Sequence, residues 1–380
     1  MTVTNGHNGQ QPDVQVAGSN INVVLTGKET VVLEDRPIPE CPKGYVLVKV
    51  MATGICGSDL SYYTKGGIGT TVVKAPLVLG HESCGVICKV GEGVSGLSVG
   101  DRVAIEPALP CRVCTPCKSG QFNYCVNDSY MASPPTGEWN AQDGTLCQWY
   151  ACPAVNAVPV PETIAWEQSG SIQPLAIAVQ VGRRARLRAH QTVAVFGCGP
   201  LGLLCMAVAK AYGARKIIAV DISESRLKFA KSYAATHTFS PPRRGQDDEI
   251  MSWNRQVAAG VLRDMGEDAG VDVVIEASGA EPCMQLGVHL LRTGGTYLQA
   301  GMGAPLASFP VLQIATRELN VFGTLRYTSG CFQDAIDLIA RGLVDLKPLV
   351  TRTFPLKQSE DAFKAVKAGS EIKIVIMNQQ

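Results

Sequence analysis

Nowhere in the sequence do apolar residues run on for the roughly 18 positions that a membrane-spanning helix needs, so a span is not expected. Charge of one sign is missing too: 34 Lys and Arg stand against 33 Asp and Glu, a formal net charge of +1. With no basic tract to follow a phosphate backbone, nucleic acid is not expected as a partner. The opening residues Met1 to Asn20 are polar and rich in Asn, Gln and Gly. They hold neither the apolar core of an export signal nor the Arg-rich pattern of a transit peptide, and read as a disordered tail. The closing Met377-Asn378-Gln379-Gln380 has no Ser-Lys-Leu or Lys-Asp-Glu-Leu address. A cytoplasmic protein is the expectation.

What is present points to a folded protein, since 46% of residues are apolar and 18% charged. At 380 residues the chain exceeds what one core usually supports, so two domains are expected. From Ile21 to about Val160, short β-branched runs such as Tyr45 to Val50 and Ser83 to Val90 alternate with Gly and Pro. That pattern suggests a compact β unit. From about Leu175 to Phe322, strand candidates (Thr192 to Phe196, Lys216 to Val220, Val271 to Glu276, Thr296 to Gln299) alternate with helices. The clearest helices are Leu201 to Tyr212 and Ser223 to Tyr233, and the alternation implies a parallel doubly wound sheet. A helix (Phe332 to Ala340) and a closing strand (Ile372 to Met377) end the chain.

One glycine string stands out. Val193 to Phe196 leads into Gly197-Cys198-Gly199-Pro200-Leu201-Gly202 and an apolar helix, and Asp221 ends the next strand, 19 positions after Gly202. Strand, glycine turn, helix and distal acid form the context that marks a dinucleotide site, with the pyrophosphate on the helix N-terminus. Asp221 would accept from the ribose hydroxyls and repel a 2′-phosphate, favouring NAD over NADP; Arg226 nearby softens that preference. The plainer alternative is a β-turn-α with Asp221 as helix cap.

Fourteen cysteines are many, and four of them cluster as Cys111, Cys114, Cys117 and Cys125, spaced C-x2-C-x2-C-x7-C. In a chain without an export signal such a cluster suggests metal. Four thiolates close a tetrahedral structural zinc site with no open position. Free thiols, two disulfides or an iron–sulfur cluster also satisfy the spacing, although nothing else suggests electron transfer. A second group, Cys56 in Gly54-Ile55-Cys56-Gly57-Ser58-Asp59 and His81-Glu82 some 25 residues on, would not by itself justify a metal.

Together these strings resemble the zinc-dependent medium-chain dehydrogenases, in their polyol branch. Gly54 to Asp59, Pro76 to Glu82, Gly100 to Pro107, the four-cysteine lobe and Gly323-Thr324-Leu325-Arg326-Tyr327 carry the likeness, which covers about Val23 to Ile376. It implies an α/β protein with a GroES-like β-rich catalytic domain (21–174 and 323–380) and an inserted doubly wound Rossmann domain for NAD (175–322). It further implies a catalytic zinc on Cys56, His81 and Glu82 besides the structural one, giving two zinc ions per chain. Ser58 and Tyr62 would manage the departing proton, and Tyr130, Arg326 and Tyr327 would face a polyol-like secondary alcohol or its ketone. A homo-oligomer, tetramer or dimer, is implied as well. Three departures bear on the substrate. Gln173 stands where the branch has a glutamate beside the zinc, and Ser61 where histidine is usual. The segment from Ser133 to Thr145 is lengthened and carries Trp139. They leave two alternatives: a biosynthetic dehydrogenase or reductase for a less polar or cyclic substrate, and a silent NAD-binding protein that has lost its active zinc.

Overall fold

The computed structural model describes residues 16–69, 71–126, 129–134, 142–245 and 248–380. Most of the proposed disordered tail, and Trp139 with its neighbours, lie outside the described residues. The chain divides into two compact units, Met1–Leu109 with Ser129–Ser171 and Arg352–Gln380, and Pro110–Asp128 with Ile172–Thr351. No helix among the described residues is long and apolar enough to cross a membrane.

The first unit is GroES-like, built on a seven-stranded sheet whose centre is Tyr45–Gly54. Glu82–Val90, Trp149–Pro153 and Lys373–Met377 all pair antiparallel with that strand, which explains why seven of its ten residues are buried and none is exposed. A three-stranded sheet (Thr30–Arg36, Asn20–Gly27, Leu77–Val78) adds Val23, Leu25 and Leu77 to a core that includes Tyr63 and Phe363, whose rings stack at 5.0 Å. The stretch expected to be purely β contains one helix that matters, Gly57–Lys65. Its sequence hides it, since Gly57 and Ser58 look like a turn. The Asp59 carboxylate accepts the Cys56 N–H at the N-terminus, and Gly66 closes the other end at φ 76°.

The second unit carries a six-stranded parallel sheet in the order His237–Phe239, Lys216–Val220, Thr192–Phe196, Val271–Glu276, Leu291–Gln299, Asn320–Gly323. The order reverses between Thr192–Phe196 and Val271–Glu276, the switch point at which such sheets bind ligands. Every residue of Thr192–Phe196 is buried, because strands flank it on both sides and helices cover both faces. Truncating the fully buried Phe196 to alanine should cost about 3–5 kcal/mol.

Candidate functional site

In the parallel-sheet unit, Gly197 turns the chain at φ 90° directly after Phe196. Gly202 passes so close that a Cβ there would lie 1.8 Å from the Gly197 carbonyl oxygen, whereas a Cβ on Gly199 would meet nothing within 4 Å. The turn is thus tight on its inner side and bare on its outer side, as a cradle for a pyrophosphate requires. Pro200 opens the helix Pro200–Ala211, whose first amides are unused by the helix itself. The Asp221 carboxylate accepts the Cys198 N–H at 2.7 Å and the Ser223 N–H at 2.9 Å, so it fixes the glycine turn. The cap of the following helix is Ser223, not Asp221. Arg226 is exposed on that helix. Beyond Asp221, a cavity of about 450 Å³ opens between Ile222, Pro241, Arg243, Trp253, Asn254 and Cys283. Sequence reasoning missed this cavity, because its walls come from four separate segments without a shared motif.

The cysteine lobe lies in the same unit. All four thiols are free, and their sulfurs lie within 4.8 Å of one another. Cys114 and Cys125 are 3.8 Å apart, too far for a disulfide. A tetrahedron with Zn–S bonds of about 2.3 Å has edges of about 3.8 Å, so the residues fit the metal. Backbone amides of Val113 and Cys114 draw the Cys111 thiol down to about 6. Burial and the neighbouring sulfurs push Cys117 up to about 12. The lobe also holds the Arg326–Tyr327 string: Asn123 Nδ2–H donates to the Leu325 carbonyl at 3.0 Å, and Phe122 meets the Tyr327 ring edge-on at 6.0 Å. Tyr327 is fully buried between Phe122 and Phe332, and Arg326 adopts a left-handed φ of 48°. Gln173, 3% exposed, lies in the helix Ile172–Arg184 of this unit.

In the β-rich unit, ligand atoms of Cys56, His81 and Glu82 converge within 4.8 Å of one another. The helix start positions Cys56 and the head of Glu82–Val90 positions Glu82. Asp59, wholly buried, links the set: it accepts the Cys56 and Gly80 amides at 3.0 and 3.1 Å, and its Oδ1 lies 3.5 Å from His81 Nδ1. Burial disfavours charge on His81, but Asp59 and Cys56 outweigh it and raise its pKa well above the usual value. Burial likewise opposes ionisation of Asp59, yet His81 and the two amides hold it below the ordinary carboxylate range. A cysteine sulfur, an imidazole and a carboxylate in a water-poor corner are a donor set that fits zinc. Ser58 Oγ lies 3.4 Å from His81 Nε2, and Tyr130 meets the His81 ring edge-on at 5.6 Å. Tyr62 is buried on the same helix as Ser58. Ser61 donates its hydroxyl to the Gly57 carbonyl at 3.0 Å. Lys373 was not foreseen; buried beneath the cluster, it pairs with Glu82 and donates to the Ile55 carbonyl.

Residues 42–162 match the family model of the alcohol dehydrogenase GroES-like domain, and residues 200–341 that of the zinc-binding dehydrogenases. The probable D-xylulose reductase A of Aspergillus terreus is 48% identical over 95% of this chain and 99% of its own length. Among solved structures, L-idonate 5-dehydrogenase of Escherichia coli superposes with a TM-score of 0.84 at 28% identity, covering 95% of this chain and 98% of that one. The 2R,3R-butanediol dehydrogenase of Bacillus subtilis gives 0.82 at 27%, covering 94% and 99%. The chain belongs to the zinc-dependent medium-chain dehydrogenases, in their polyol branch. It is accordingly a nicotinamide-dependent oxidoreductase that moves a hydride between a secondary alcohol and its ketone.

Proposed function

We propose that this enzyme interconverts a small polyol and its ketose with NAD, using one catalytic and one structural zinc per chain. The observation that carries this reading is the convergence of Cys56, His81 and Glu82. These residues would hold the catalytic zinc, whose chemistry there is Lewis-acid polarisation of a substrate oxygen. Cys111, Cys114, Cys117 and Cys125 would hold the structural ion. Asp59 keeps the Cys56 amide and the His81 ring in register. Ser58 Oγ, beside His81 Nε2, accepts the departing hydroxyl proton, with Tyr62 on the same helix. Arg326, held by the cysteine lobe, and Tyr130 orient polyol hydroxyls. The glycine turn binds the dinucleotide, Asp221 selects NAD by repelling a 2′-phosphate, and the cavity beside Ile222 accepts the adenine. The free state of every cysteine agrees with a cytosolic protein. The exposed edge strand Asn320–Gly323, with Val321 and nearby Leu325, supports a homo-oligomer.

A less polar or cyclic substrate is the second reading. It draws support from Ser61, whose hydroxyl is turned to the helix backbone, and from Tyr327, whose ring is packed among phenylalanines. A substrate panel with NAD and NADP, covering xylitol, sorbitol, arabinitol and apolar secondary alcohols, separates the two. The polyol reading expects the highest kcat/KM on a polyol with NAD. A clear preference for an apolar alcohol would replace it with the second reading, and absence of a second zinc from active protein would overturn the assignment of the ligands.

A further inference from the structure

The helices Ile250–Met265 and Glu281–Leu290 pack through Ala258, Leu262, Leu286 and Val288, and at the far end of their seam they leave an open cleft of about 330 Å³. Arg255, Ala259 and Arg263 line it at i, i+4 and i+8, one face of the first helix. The alanine between the two arginines leaves the space between their side chains unfilled. Neither arginine makes a salt bridge with a described residue, although the Glu249 carboxylate feels the charge of Arg255. His289, in the last turn of the second helix, lines the cleft from the interior. It is 8% exposed, and its Nε2 is buried without a hydrogen-bond partner among the described residues. Buried polar atoms in folded proteins are nearly always paired, so this one calls for a partner that the described residues do not supply.

The electrostatics state the sign of that ligand. Burial, together with the positive charges of Arg317 and Arg255, lowers the pKa of His289 and so favours the neutral ring. Asp268 is the one carboxylate among the lining residues. An approaching oxyanion meets two guanidiniums and selects the imidazole tautomer that carries its proton on Nε2. We propose that this cleft binds a phosphate group, either the free ion or the head of a small monoester, through Arg255, Arg263 and His289 Nε2–H. Three donors approach from two helices, and a tetrahedral anion offers oxygens in as many directions. The two oxygens of a carboxylate lie in one plane and satisfy a single fork. None of the lining residues belongs to the glycine turn or to either set of metal ligands, and the cleft enters no step of the hydride transfer.

Calorimetric titration of the zinc-loaded full-length enzyme tests the proposal, at constant ionic strength and with NAD saturating. NAD is needed because the glycine turn can itself bind phosphate and because Asn254 and Gln285 of the same helices line the cavity beside Ile222. Inorganic phosphate and glycerol 2-phosphate are compared, with malonate as the planar control. Saturable binding of one phosphate per chain is expected, weakened at least tenfold in the exposed Arg255→Gln/Arg263→Gln variant and in His289→Leu, with alcohol oxidation in phosphate-free buffer unchanged. Tighter binding of the ester identifies a monoester as the ligand, and equal or weaker binding identifies the free ion. The proposal is overturned by absence of saturable binding in the native enzyme, by unaltered binding in the double arginine variant, or by malonate binding as tightly as phosphate.

Discussion

Lys373, on the closing strand, and Glu82, at the head of an early one, form a buried ion pair across 291 positions of sequence. The lysine is 4% exposed and the glutamate 1%, so neither charge has water to fall back on. Gly54 makes room for them: a Cβ there would lie 2.7 Å from Glu82 Oε2 and 2.8 Å from Lys373 Cε. Removing one partner of a buried pair typically costs about 3–5 kcal/mol, because the other is left uncompensated. Zinc would supply part of the missing positive charge. Lys373→Met is therefore expected to lower the melting temperature strongly in chelator-treated enzyme and distinctly less in zinc-loaded enzyme. Equal losses in both states would show that Glu82 does not face the metal.

Asp59 is a second handle on the same corner. It touches both the Cys56 amide and the His81 ring without itself belonging to the converging ligand set. Loss of such a supporting carboxylate typically weakens metal affinity by about 10–100-fold. Asp59→Asn should keep the fold, since the amide oxygen still accepts one backbone N–H, yet release zinc to a chelator faster by that factor. One zinc per chain should leave quickly and the other at its native rate. Unchanged release of both ions would remove Asp59 from the account.

These two residues mark where the sequence was legible and where it was not. The strands Thr192–Phe196, Lys216–Val220 and Val271–Glu276 stand where periodicity and turn residues put them, because each is a short buried run with its own local punctuation. The glycine fingerprint and the cysteine spacing were equally local. The helix Gly57–Lys65 was missed because its start is secured by the Asp59 side chain and not by propensity. Lys373 and the cavity beside Ile222 were invisible for another reason. Their partners are brought in by strand pairing and helix packing over long separations, and no spacing records that.

The cysteine lobe gives a prediction that links metal to substrate. Asn123 and Phe122, within its span, hold Leu325 and Tyr327 on either side of Arg326. Cys125→Ser should lower zinc content by one per chain, because metal binding and local folding are coupled. It should also loosen the Arg326 string, so KM for the alcohol should rise several-fold while KM for NAD changes little. A variant that keeps both zinc ions and its thermal stability would contradict the structural assignment.

The proposed cofactor choice rests on Asp221, whose two carboxylate oxygens are fixed by the Cys198 and Ser223 amides and so would not swing away from an incoming 2′-phosphate. Two unit charges about 4 Å apart repel by about 1 kcal/mol in water and about 4 kcal/mol at the lower effective dielectric of a protein surface. At about 1.4 kcal/mol per tenfold, that predicts a preference for NAD over NADP of roughly fivefold to seven-hundredfold in kcat/KM. Asp221→Ser removes the charge but also frees both amides, so activity with NAD should fall while activity with NADP rises, aided by the exposed Arg226. Kinetics with both cofactors decide the matter. Native enzyme that uses NADP as well as NAD would show that the carboxylate serves the glycine turn alone, and the proposal that it reads the ribose would fail.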